Sequence, residues 1–139
     1  HTKSNDDGID RTLEYMKTGK KGLIYTNLVD FDMKWGHRND FEAYAKGLEA
    51  FDSRLPEILA AMGEQDVLFI TADHGCDPTV PGTDHTREYV PLLGWGRGLA
   101  AGTDLGTRKS FADIGQTISE IFGAEATAHG ESFWARIRR

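Results

Sequence analysis

Asp32, His37, Asp73, His74 and His85 form a set of oxygen and nitrogen donors carried by two short stretches of the chain. Carboxylate mixed with neutral imidazole is a donor set for Mn, Zn or Fe. The single cysteine, Cys76, leaves no thiolate pair for a structural zinc knot. His85 lies eleven residues beyond His74, across a turn marked by Pro78, Pro81 and Gly82, so this loop can fold back and bring the second imidazole towards the first.

Two apolar runs deliver these donors. The run 22–29 (Leu23, Ile24, Tyr25, Leu28, Val29) reads as a strand ending in Asp30-Phe31-Asp32, and 66–72 reads as a buried strand ending in Asp73-His74-Gly75. Between them Phe41, Tyr44, Leu48, Phe51, Leu55, Ile58, Leu59 and Met62 recur at intervals of three and four, which predicts a long helix. Asn39 or Asp40 is its expected cap, and Pro56 is expected to kink or split it. Strand, helix, strand at these lengths is a right-handed βαβ crossover, so the two strands should be parallel and end at one edge of a sheet, where ligands gather.

The rest of the chain is support. A helix is expected over 8–17, with Asn5, Asp6 or Asp7 as cap and Gly19 as stop. A third strand is expected over 89–95, then a Gly-rich loop over 94–106. A helix over 110–122 is expected to be capped by Ser110, with Asp113 three residues on, and closed by Gly123. Phe133, Trp134 and Ile137 should dock on the core, leaving Arg136, Arg138 and Arg139 solvated.

Competing roles can be weighed residue by residue. Asp30 and Asp32 alternate, so an extended segment would point both the same way, and both are candidates for the first ligand. Asp77 and Asp84 are better explained as turn formers, and Cys76 as a small, partly buried residue rather than a nucleophile. Arg87 suits orientation of a carboxylate or phosphate. His1 and His129 are not expected to be ligands. The formal charge of −6 gives no electrostatic case for nucleic acid or an anionic membrane. No apolar run approaches the roughly 20 residues of a membrane span, and no leader-like segment opens the chain, so a cytoplasmic location is expected. The length allows one domain at most, and the start at His1-Thr2-Lys3, without Met, suggests a piece of a longer protein.

Thr71-Ala72-Asp73-His74-Gly75 with the later His85-Thr86 resembles the metal-binding signature of the alkaline phosphatase superfamily. The runs Asn27-Leu28-Val29-Asp30-Phe31-Asp32, Gly36-His37-Arg38 and Gly75 to Pro91 narrow the resemblance to the phosphopentomutase family, from about Gly8 to the end. Four residues separate Asp32 from His37, as in that family, whereas the related cofactor-independent phosphoglycerate mutases have three.

The resemblance implies an α/β fold, the parallel-sheet three-layer sandwich of alkaline phosphatase type. Residues 1–139 would be the C-terminal part of the metal-binding core. The N-terminal core segment, with its metal-binding Asp and nucleophilic Thr, and the cap domain would lie in the remainder of the parent chain. It further implies interconversion of ribose or deoxyribose 1-phosphate and 5-phosphate through a phosphoenzyme, with two manganese ions per intact subunit. Asp32, His37 and His85 would hold one ion, and Asp73 with His74 would belong to the other. Another phosphotransferase of the superfamily, or a non-catalytic metal-binding module, are the alternatives. The fragment would be inactive alone.

Overall fold

Ser4 starts the first helix: its Oγ accepts a hydrogen bond from the Asp7 amide at 3.2 Å, satisfying one of the N–H groups that a helix leaves open. The helix, α1, runs Asn5–Met16, three residues ahead of the expected start, because Ser4 and not the following acidic residues makes the cap. The computed structural model describes residues 2–139, so His1 lies outside the described residues. Two compact units result, one comprising residues up to Gly63 with His74–Leu92, the other Glu64–Asp73 with Leu93–Arg139.

In the first unit, α1 is followed by an extended segment, one turn of π-helix (Phe31–Trp35), a 3₁₀ turn (Gly36–Arg38) and the helix α2 (Phe41–Ala61). Asp40 caps α2 by accepting from the Ala43 amide at 2.9 Å. The helix continues through Pro56, so the expected split does not occur. Arg54 of α2 reaches back to α1, with 2.8 Å to Asp10 and 3.6 Å to Asp6, and also holds Glu57 at 2.6 Å.

The expected strand over 22–29 is not formed. The segment is extended and packs on α1, where a Cβ on Gly8 would meet Leu28 Cδ2 at 3.2 Å and Thr26 Cγ2 at 3.3 Å. Thr12 and Thr26 hydroxyls also lie 2.6 Å apart. Yet no ladder forms on it among the described residues, and Leu23, Ile24 and Tyr25 are 61%, 38% and 78% exposed. A strand needs a neighbour for its backbone groups, and none of the described residues supplies one here. The parallel crossover with 66–72 is therefore corrected: the fold is α/β, and its sheet is two-stranded, β1 (Leu68–Thr71) beside β2 (Leu92–Trp95).

The second unit is built around Phe133, which is 1% exposed and meets Phe69 of β1 edge to face at 5.6 Å. Two helices, α3 (Ala112–Phe122) and α4 (Trp134–Ile137), complete it. Thr117 of α3 is fully buried, and its hydroxyl donates to the Asp113 carbonyl at 2.7 Å and accepts from the Phe133 amide at 3.1 Å. Asp113 does not complete a capping box with Ser110. It turns inward to bind Arg108 at 2.7 Å and the Glu131 amide at 2.9 Å, while Ser110 accepts from the Ala112 amide at 3.1 Å. Gly123 closes α3 in the left-handed region at φ 63°. Arg136 is not simply solvated, since it donates to the Asp104 carbonyl at 2.7 Å and ties the 104–105 loop to the tail.

Thr117→Val keeps the shape of that buried side chain and strands the Phe133 amide. We expect a loss of about 1–3 kcal/mol in unfolding free energy, read from urea unfolding; an unchanged midpoint would contradict the assigned role.

Candidate metal centre

Asp30 and Asp32 part company because the chain between them is helical, not extended. In a helical turn residues two apart point to nearly opposite sides. Asp30 is buried, where one carboxylate oxygen accepts from the Asn5 amide at 3.0 Å and the other meets Lys34 Nζ at 3.0 Å. Asn5 returns the bond, its side-chain oxygen accepting from the Asp30 amide at 3.0 Å. This reciprocal pair ties the start of the π turn to the first residue of α1. Two glycines then let the turn close. A Cβ on Gly36 would stand 2.5 Å from Cys76 Sγ, and one on Gly47 of α2 would stand 2.2 Å from the Trp35 ring.

Asp32 is aimed at the imidazoles. Its Oδ1 lies 3.3 Å from His37 Nε2, 3.2 Å from His85 Nε2 and 3.8 Å from His74 Nε2. The His74 and His85 rings stack at 3.8 Å between centroids, and His37 and His85 lie 4.8 Å apart. Each ring's second nitrogen decides what the first can do. His37 Nδ1 bonds the Thr83 carbonyl and His74 Nδ1 bonds the Gly75 carbonyl at 3.0 Å. A carbonyl only accepts, so each Nδ1 carries a proton, and in the neutral imidazole Nε2 is then the nitrogen that presents a lone pair. His85 Nε2 is at a distance where it donates to Asp32 until a cation takes the place of its proton.

Lone pairs facing a carboxylate oxygen repel unless something positive lies among them. Asp32, His37 and His85 each offer a ligand atom within 4.8 Å of the others. Donors that share one first-row divalent ion at about 2.1 Å stand roughly 3.0–3.4 Å apart, and the two shorter contacts to Asp32, 3.3 and 3.2 Å, match that edge. The residues present therefore fit a divalent metal. Asp73, adjacent to His74 in sequence, is exposed and belongs to the unit that contains β1.

The loop that carries His85 is shaped by its own polar groups. Gly75 pairs with Thr86 in an antiparallel bridge, and the Thr86 hydroxyl accepts from the Asp77 amide at 2.6 Å and donates to Glu88 at 2.5 Å. Asp77 is a turn former, as expected: it accepts from the Thr79 hydroxyl at 2.7 Å and amide at 2.9 Å, which lowers its carboxyl pKa. Two participants escaped the sequence reading, Asn5 and Asn39, because both asparagines read there only as possible helix caps.

Residues 1–126 match the metalloenzyme superfamily, and the chain belongs to it. Its similarities are more particular. The chain is 69% identical over 137 residues to a phosphopentomutase from Clostridium novyi (strain NT), covering 99% of this chain and 35% of that protein. It is 62% identical over 136 residues to a phosphopentomutase from Kosmotoga olearia, and 60% identical over 136 residues to one from Desulfitobacterium hafniense, in each case covering 98% of this chain and 35% of the relative. The chain thus spans about a third of the length of these curated relatives.

Cys76 is half-buried beside the metal-ligand candidates, and its thiol pKa is raised, first by burial and then by the carboxylates of Asp32, Glu88 and Asp77. A raised pKa leaves less thiolate at a given pH, which is the opposite of what a nucleophile needs. We expect Cys76 to react with a disulfide reagent at about pH 8 more slowly than free cysteine does; an equal or faster rate would contradict this placement.

Proposed function

We propose that this chain is the C-terminal part of the metal-binding core of a phosphopentomutase, an isomerase that interconverts ribose or deoxyribose 1-phosphate and 5-phosphate. The observation that carries the reading is identity of 60–69% to phosphopentomutases across nearly all of the chain, and the clustering of Asp32, His37 and His85 supports it. In this reading these three residues hold one manganese ion, while Asp73 and His74 belong to a second. The 3.8 Å from His74 Nε2 to Asp32, longer than the edge expected of donors sharing one ion, favours that division. The parallel-sheet sandwich would be completed by the preceding part of the parent chain, which would also supply the nucleophilic Thr, the remaining metal-binding Asp and the cap over the sugar. No helix among the described residues is long and apolar enough to cross a membrane, and the proposed location is cytoplasmic.

Bound there, divalent ions would offset the charge of a phosphoryl group in transfer between the enzyme and the two sugar positions. The chain's own contribution is to orient donors. The Thr83 and Gly75 carbonyls hold the Nδ1 protons of His37 and His74, so that both Nε2 lone pairs face inward. The Asn5–Asp30 pair fixes the turn from which Asp32 projects.

The test joins binding to turnover. In calorimetric titration the 139-residue chain should bind Mn²⁺, with affinity lowered at least about 10-fold in His85→Ala, and should not turn over ribose 1-phosphate. The uninterrupted parent protein should convert ribose 1-phosphate and leave 3-phosphoglycerate unchanged. Absence of Mn²⁺ binding, or a parent protein acting on phosphoglycerate instead, would overturn the proposal.

A further inference from the structure

The two segments that supply His37 and His85 are far apart in sequence, and outside the candidate ligands themselves the Asn39 side chain also joins them. The amide nitrogen of Asn39 donates to the Val80 carbonyl at 2.9 Å and to the Pro78 carbonyl at 3.2 Å. Both acceptors are carbonyls, so the amide's orientation is fixed by chemistry: only its NH₂ end can make these bonds. The loop it holds, 78–80, runs on to Thr83, whose carbonyl bonds His37, and then to His85.

Asn39 is also the one non-glycine among the described residues with a positive φ, at φ 53° and ψ 29°. Asparagine tolerates this region better than most residues. The conformation turns the chain from the 3₁₀ turn into α2, and its amide bonds the Gly36 carbonyl at 3.1 Å. Two explanations of the residue are therefore separable. One is a backbone role, which glycine would fill at least as well. The other is a staple, which glycine cannot make.

We propose that Asn39 is a positioning residue for the metal centre: its side-chain amide clamps the 78–80 loop against the 36–38 turn and so sets the separation of His37 and His85. The inference rests on the metal-binding reading given above. Outer-shell bonds of this kind typically change metal affinity about 10–100-fold.

The experiment compares the 139-residue chain with its Asn39→Gly and Asn39→Ala variants by electron paramagnetic resonance titration of Mn²⁺, with metal-free melting temperatures in parallel. If Asn39 is a staple, both variants weaken Mn²⁺ binding about 10–100-fold, and Asn39→Gly melts close to the parent in the absence of metal. Parent-like Mn²⁺ affinity in Asn39→Gly, with loss confined to Asn39→Ala, would assign the residue a backbone role and overturn the proposal. Failure of the unsubstituted chain to bind Mn²⁺ would instead overturn the underlying metal reading, and the inference with it. Should Asn39→Gly fail to fold, nuclear magnetic resonance of the unsubstituted chain decides: slow exchange of the Asn39 side-chain amide protons supports the clamp, and solvent-like exchange overturns it.

Discussion

Asp32 Oδ1 faces the Nε2 atoms of three imidazoles, two of them oriented by carbonyls that accept from Nδ1 on the far side. Such an arrangement is electrostatically unfavourable without positive charge at its centre, so other contacts must hold it together. Those contacts are the reciprocal Asn5–Asp30 pair, the tight approaches at Gly36 and Gly47, and the Asn39 amide across the loop. Each restrains a segment that carries one candidate ligand. The π turn belongs to the same design, because one wide turn separates Asp30, which anchors, from Asp32, which projects.

The parts of this centre that were legible in the sequence are those that residue type alone specifies. His37 and His85 could be picked out beside Asp32 because histidine and aspartate recur together in both of the loops that follow apolar runs. The choice between Asp30 and Asp32 was not legible from alternation. It depended on the backbone being helical there, which the run Phe31-Asp32-Met33 does not announce. The resemblance to phosphopentomutases favoured Asp32 on other grounds.

The elements divide along the same line. Helices α2 and α3 were legible because their apolar faces repeat at helical spacing, and Gly123 marks a stop whose left-handed geometry the structure shows. Segment 22–29 carries the composition of a strand, but composition records what a segment can pair with and not whether a partner is at hand. Its Leu23, Ile24 and Tyr25 are exposed and no ladder forms on the segment among the described residues. Asp113 was misread for a related reason: its spacing from Ser110 fits a capping box, whereas the Arg108 guanidinium and the Glu131 amide offer the buried Asp113 carboxylate a stronger pull.

The proposed centre is a divalent ion shared by side chains from the π turn and the 74–85 loop. Crystals of the chain grown with Mn²⁺ and measured at the manganese absorption edge test it directly. An anomalous peak bonded to Asp32, His37 and His85 together is expected; a peak that omits His37 or His85, or no peak among these residues at saturating Mn²⁺, would contradict the shared site.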